Sequence, residues 1–245
     1  KKWFEYWKKE RMNWYLALGL KKQNLRFREH APDERAHYAR AAWDIEYKLE
    51  TGWKEFEGIH HRGDWDLSRH QEFSGKDLIY FDEETKERFV PWVIETSGGV
   101  DRAALFFLID AYNEEKILNS KSQILNKLQI QNHKNQNDDT RVVLKLHPRI
   151  APYKGAVFPL LANKSKLAAF ARGIYDDLKK DFMTAWDERG NIGKRYRAQD
   201  EIGTPFCVTV DFESLENEDV TVRDRDTMEQ ERVKIGDLNS YLDER

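Results

Sequence analysis

The sequence predicts a mixed α+β and α/β protein folded in two parts, and three observations carry that prediction. In the first part, helical stretches alternate with short β-type runs closed by glycine turns. In the second, from Thr140 onward, strand-like and helix-like segments alternate regularly. Between them, Asn113–Asp139 (NEEKILNSKSQILNKLQIQNHKNQNDD) is dominated by Asn, Gln and Lys and holds no Phe, Trp or Tyr, the composition of a linker or insertion. The expected division is therefore 1–112, a connecting segment 113–139, and 140–245. With 245 residues, 40% hydrophobic and 35% charged, each part can bury a core of its own.

In the first part, Lys1–Leu18 reads as an amphipathic helix whose Trp3, Trp7, Trp14 and Leu18 form a stripe expected to pack in the core, with Gly19 as its cap. LRFRE follows as a short β-type piece, and Pro32 and Asp33 are placed to start a helix carrying His37 and Tyr38. Trp43–Leu49 and Trp53–Ile59, joined by Glu50, Thr51 and Gly52, predict an antiparallel hairpin. Strict alternation in its second strand would put Glu55 and Glu57 on one face. A carboxylate on an inner sheet face needs a cation, which makes Glu55 a candidate for an amino acid's ammonium group; a solvated outer face is the alternative. GIHHRGDWDLSRH holds three histidines and two aspartates, but their spacing matches no common zinc arrangement. No metal is expected there, and Arg62 and Asp66 are expected to pair. Gln71–Arg88 reads as a polar hairpin.

Pro91–Tyr112 (PWVIETSGGVDRAALFFLIDAY) has the pattern of a site. Val93 and Ile94 read as strand, Ser97, Gly98 and Gly99 as a tight turn, and Ala103–Tyr112 as a helix apolar all round and therefore buried. Glu95 and Ser97 leave the strand end and Arg102 opens the helix, so the three should face one cleft. A guanidinium at a helix N-terminus suits phosphate, and a neighbouring carboxylate suits an ammonium. A glycine-rich connection bearing a surface ion pair is the plainer alternative.

In the second part, RVVLKL, GAVFPLL, FMTAW, PFCVTVDF and DVTVRDRD read as strands, with helices over Lys164–Lys180, near Ile192–Ile202 and near Ile235–Leu242. The single cysteine, Cys207, forms no internal disulfide and reads as a small buried hydrophobe. Lys194, Arg195 and Arg197 flank Tyr196, and Arg223 and Arg225 follow. Guanidiniums interleaved with an aromatic suit unstacked bases, although Asp200 and Glu201 could equally balance a solvated helix face. The formal net charge of −3 gives no global basic field, so any nucleic-acid contact has to be a local patch. No apolar run reaches the roughly 18 residues of a membrane span. The start, KKWFEYWKKERMNWY, is too charged for a signal peptide, so no membrane association and a cytoplasmic location are expected.

Pro91–Tyr112 resembles motif 3 of the class II aminoacyl-tRNA synthetases, and ETSGGVDR resembles the glycyl-tRNA synthetase version. AHYARAAWDIE, GWKEFEGIHHRGDWDLSRH, LKLHPRIAPYKGAVFPL, IGKRYRAQDEIGTPFCVTVDF and VTVRDRDTMEQERV resemble that family in the same order along nearly the whole chain. The resemblance implies the end of a class II antiparallel catalytic sheet with helices, followed by a small mixed-sheet anticodon-binding domain. It implies ATP-dependent activation of glycine and its transfer to tRNA-Gly, with ATP as a substrate and Mg²⁺ beside it. Glu55, Glu95 and Ser97 would hold glycine, Glu95 and Arg102 would bind ATP with Arg102 catalytic, and Lys194, Arg195, Tyr196, Arg197, Arg223 and Arg225 lie in the anticodon region.

Motifs 1 and 2 of the class are not found, although Arg26 and Arg28 in LRFRE superficially suggest motif 2. The expectation is a fragment inactive alone, from a split, cleaved or truncated chain. Its partners would be tRNA-Gly, glycine, a separate N-terminal catalytic fragment and, in the complete enzyme, a second copy in a homodimer. The alternative is a non-catalytic tRNA-binding or accessory protein derived from a class II synthetase.

Overall fold

The structure, a computed structural model, describes residues 2–116 and 140–245. Most of the connecting segment, 117–139, lies outside the described residues. The chain divides into two compact units, Lys1–Asp110 and Ala111–Arg245.

The first unit is built on a four-stranded antiparallel sheet in the order β1 (Leu25–Glu29), β2 (Ala41–Leu49), β3 (Gly52–Gly63), β6 (Val93–Gly98). Gly52 turns β2 into β3 at φ +103°, which a side chain would strain. The helices α1 (Lys2–Ala17) and α3 (Val100–Ala111) contribute to a core of Phe4, Tyr15, Leu20, Ile45, Tyr47, Phe56, Ile59 and Phe106. The helix α2 (Trp65–Ser74) and a short hairpin, β4 (Tyr80–Phe81) with β5 (Arg88–Phe89), lie between β3 and β6 in the chain.

Three expectations fail in this unit. The tryptophan stripe of α1 does not face the core: Trp3 is 61% exposed and Trp7 and Trp14 are exposed too. The buried face is Phe4, Lys8 and Tyr15, because Lys8 lies over the Trp43 ring at 3.3 Å and Tyr15 reaches the buried Glu57. No helix forms after Pro32; the chain runs through turns into β2, where pairing with both β1 and β3 satisfies the backbone better than one helical turn could. Nor is α3 buried all round, since only Phe106, Asp110 and Ala111 are buried on it while Val100, Leu105, Leu108 and Ile109 are exposed. Asp110 draws that helix inward by accepting from the Lys21 amide at 3.1 Å, Asn24 Nδ2 at 2.6 Å and the Tyr47 hydroxyl at 2.8 Å.

The second unit opens with a two-stranded ladder, β7 (Tyr112–Lys116) with β8 (Thr140–Leu144). Residues 113–116, expected as the start of the linker, are therefore strand. Its main sheet runs β10 (Thr184–Trp186), β9 (Gly155–Pro159), β11 (Phe206–Val210), β12 (Asp219–Asp224), β13 (Gln230–Lys234), with the first three parallel and the last two antiparallel. The helix Ser165–Leu178 lays Leu167, Ala171, Ile174 and Leu178 on one face of it. The helix Ile192–Ile202 packs Ile192 and Tyr196 against Ala156, Phe158 and Cys207 on the other. The strands alternate sides to fill both layers, the mixed α/β arrangement expected. Burial pushes the Cys207 thiol up to about 12, so it is an inert core group.

Gly203 ends the helix Ile192–Ile202 at φ +83°, where a Cβ would come within 2.9 Å of Leu146 and 3.0 Å of the Leu144 carbonyl. Gly203→Ala should destabilise this unit by about 1–3 kcal/mol, from left-handed strain plus the clash. The midpoint of urea unfolding checks it, and an unchanged midpoint would count against the cap.

Candidate functional site

One residue organises the first unit's site. In the β2–β3 register Ile45 faces Glu57 while its neighbour Glu46 faces Glu55, so Phe56 is an extra residue, a β-bulge. Opposed residues share a face, so Glu55 and Glu57 point to opposite sides, not to one as alternation implied. Glu57 turns with Phe56 to the helix side. There it is 1% exposed, and its carboxylate accepts from Arg11 Nε at 2.7 Å, Arg11 Nη2 at 3.0 Å and the Tyr15 hydroxyl. Burial and this carboxylate push the Tyr15 phenol well above its ordinary value.

Glu55 turns to the open side of the sheet. It shares that side with Glu46 and Asp44, with Gly58 opposite Ser97, and with His60 opposite Glu95. The bulge thus brings Glu55 onto the same face as Glu95 and Ser97. The structure unites these three of the predicted residues on a surface, with Glu55 and Ser97 exposed and Glu95 half-buried. Arg102 lies at the start of α3, beyond the end of β6, and its Nη1 donates at 3.0 Å to the Glu55 carbonyl. It borders a shallow apolar cleft of about 580 Å³ with Leu49, Leu105 and Phe106. No hydrogen bond ties it to Glu95 or Ser97 among the described residues.

The sequence reading missed most of this face. Arg26 faces Glu46 across the β1–β2 pair with Nε–Oε2 at 2.6 Å, Arg28 faces Asp44 at 3.6 Å, and His30 Nε2 meets Asp44 at 2.7 Å. The signal was present as Arg-x-Arg and Asp-x-Glu at strand spacing. Arg62 was assigned only to Asp66, and those two hydrogen bonds, 2.7 and 2.8 Å, exist and hold the Asp66 carboxyl below its usual range. The same guanidinium also pairs with Glu95, which places Arg62 in the site.

In the second unit the expected basic stripe is largely internal. Arg195 is 2% exposed and donates to the carbonyls of Pro159, Gly190 and Arg189 at 2.6, 3.0 and 3.2 Å. Arg223, 6% exposed, holds Asp200 through two bonds of 2.8 and 3.1 Å and lies over the Tyr196 ring. Arg225, 2% exposed, donates to the Leu146 and Gly203 carbonyls and grips Asp226. Tyr196 is half-buried, its hydroxyl 2.6 Å from Thr209 Oγ1. These four are framework, corrected from surface readers. The helix Ile192–Ile202 turns Arg195 and Gln199 inward, one turn apart, and leaves Lys194 and Arg197 exposed.

Residues 154–245 match the anticodon binding domain family. The whole chain is similar to proteins named glycine–tRNA ligase. It is 51% identical over 243 residues to that of Geobacillus kaustophilus, covering 99% of this chain and 48% of the relative. It is 50% identical over 243 residues to that of Caldanaerobacter subterraneus subsp. tengcongensis, with the same coverage. The relative from Clostridium acetobutylicum is 48% identical over 243 residues, again with 99% and 48% covered. The chain spans about half the length of these curated relatives. Half its residues shared along its length, an anticodon-binding module at 154–245 and a mixed α/β fold together make this chain a match to the C-terminal part of a glycyl-tRNA synthetase.

Proposed function

We propose that this chain is the part of a glycine–tRNA ligase that holds the amino acid's ammonium group and the anticodon end of tRNA-Gly. The observation that carries the reading is the bulge at Phe56, which gathers Glu55, Glu95 and Ser97 on one open face. Two carboxylates supply the charge-assisted acceptors an ammonium needs. Arg62, already bound to Glu95, offers the cation for the amino acid's own carboxylate. Ser97, on the strand facing the side-chain-free Gly58, closes the pocket against any larger side chain, the one handle glycine offers. Arg102 keeps the rest of its fork in solvent at the sheet's end, where it can meet the phosphates of ATP.

Among the described residues no group of three or more His, Cys, Asp or Glu side chains converges on a metal. That suits a Mg²⁺ brought in on the ATP phosphates rather than held by a cage of this chain's own side chains. The ion would supply charge neutralisation at the reacting phosphate, while this chain's residues position the amino group and exclude a side chain.

Glycine-dependent ATP–pyrophosphate exchange, with alanine as control, tests the reading. It is run on the chain alone and on the chain joined behind the complementary half of the Geobacillus relative. The chain alone should bind an anticodon stem-loop without exchange, and the joined form should exchange with glycine. In that form Glu55→Gln and Glu95→Gln should each raise the KM for glycine at least about tenfold, the loss of one charge-assisted bond. A joined form that folds, binds the stem-loop and never exchanges would favour the non-catalytic accessory reading.

A further inference from the structure

His60 carries none of the roles above, yet it stands in the middle of the open face. It faces Glu95 across the β3–β6 pair and Ala42 across the β2–β3 pair. Facing side chains on one side of a sheet start about 4.5–5.5 Å apart, so an amino acid held between Glu95 and Ser97 lies within reach of the imidazole. The ring leans along its own strand onto Gly58. A Cβ at Gly58 would meet His60 Cε1 at 2.7 Å, Nδ1 at 3.4 Å and Nε2 at 3.6 Å. Gly58 is accordingly buried, although it belongs to the open side, where Glu55 and Ser97 are exposed. His30, tethered through Nε2 to Asp44 at 2.7 Å, stands edge-on to the ring with the centroids 6.2 Å apart.

Hydrogen bonding does not account for this placement. His60 Nδ1 is buried and has no hydrogen-bond partner among the described residues. A buried polar atom left unpaired costs stability, so the imidazole is not held here by its nitrogen. What it does in this place is occupy volume. Rejecting alanine in favour of glycine requires a wall where the methyl group would go, because the smaller substrate offers nothing extra to grip. Ser97 is small, Gly58 has no side chain, and the three heavy atoms nearest to a Cβ at Gly58 all belong to His60.

We propose that His60 is a specificity-determining residue of the amino-acid site, its imidazole filling the space over Gly58 that the methyl of alanine would need. Ser97 bounds the pocket from β6 and His60 bounds it from β3. The inference deepens the ligase reading and rests on it.

The test measures ATP–pyrophosphate exchange with glycine and with alanine on the joined form, and reads the ratio of the two kcat/KM values. His60→Ala should lower the preference for glycine about tenfold or more, the scale of room for one methyl group, by raising the value for alanine. His60→Leu, which returns the volume without the nitrogens, should restore the preference. The ratio does not depend on the folded fraction, so a partly unfolded variant still reports it. An unchanged ratio in His60→Ala overturns the proposal, and so does a ratio that stays low in His60→Leu, since bulk would then not be the cause. Loss of exchange with both amino acids in His60→Ala, with the anticodon stem-loop still bound, would overturn a steric role in favour of a positioning one. Absence of glycine exchange in the wild-type joined form would instead sink the ligase reading, and this proposal with it.

Discussion

Asp200→Ala is expected to destabilise the second unit by about 3–5 kcal/mol, a large fraction of the roughly 5–15 kcal/mol that holds a domain together. The carboxylate is 1% exposed and is shared by two guanidiniums, Arg141 Nη1 at 3.0 Å and Arg223 at 2.8 and 3.1 Å. Arg141, itself fully buried, has other partners in Glu115 at 2.7 Å and the Arg225 carbonyl at 2.9 Å, but among the described residues Arg223 has no acid besides Asp200, its other neighbours being the Tyr196 ring and the Cys207 sulfur. Deleting the acid therefore strands a buried cation, which is more costly than the intact pair is favourable. Urea unfolding followed by circular dichroism measures the loss. A triple replacement by apolar residues at Arg141, Asp200 and Arg223 should recover much of it. A loss under about 1 kcal/mol would show that water reaches the cluster and that the cations are not confined.

The second large effect lies at Glu57. Glu57→Gln should cost the first unit about 2–4 kcal/mol, because Arg11 and the Tyr15 hydroxyl lose the one charged acceptor they share among the described residues. The figure sits below that for Asp200 because the Arg11 side chain is 27% exposed and can turn to water. Glu55→Gln, two residues away and exposed, should change stability by no more than about 0.5 kcal/mol. The pair makes an internal comparison: similar losses at both positions would mean that the bulge does not separate them.

Fold class was legible because period and composition are global signals. The α1, α3 and Ile192–Ile202 helices and most strands follow from apolar spacing and from caps such as Gly19. Faces were less legible, since they depend on what packs opposite. The tryptophans of α1 looked like its core stripe, but Lys8 can bury its stem over Trp43 and let them out. Arg195, Arg223 and Arg225 looked like a surface because charge is usually outside. Each is instead satisfied by carbonyls and carboxylates from distant strands, which no local window contains. The helix Phe212–Asn217 and strand β13 passed unnoticed among charges, although Asp211 and Ser214 close a capping box around the former. At the site, Glu95 and Ser97 could be read from a strand that ends in glycines. The partnership of Glu95 with Arg62 could not, because it crosses 33 residues.

The extra residue in β3 also sets which kinds of change the segment can absorb over generations. On the reading proposed above position 55 serves the chemistry, while position 57 serves the fold, and they lie on opposite sides of the sheet. The fold would therefore accept a new side chain at 55 without any compensating change beneath it, and the cost would fall on binding. Deleting Phe56 would leave the two acids adjacent in a regular strand and still on opposite sides, but it would take a buried ring out of the core. Change at 55 is thus weighed by the ligand, and change at 56 and 57 by the core.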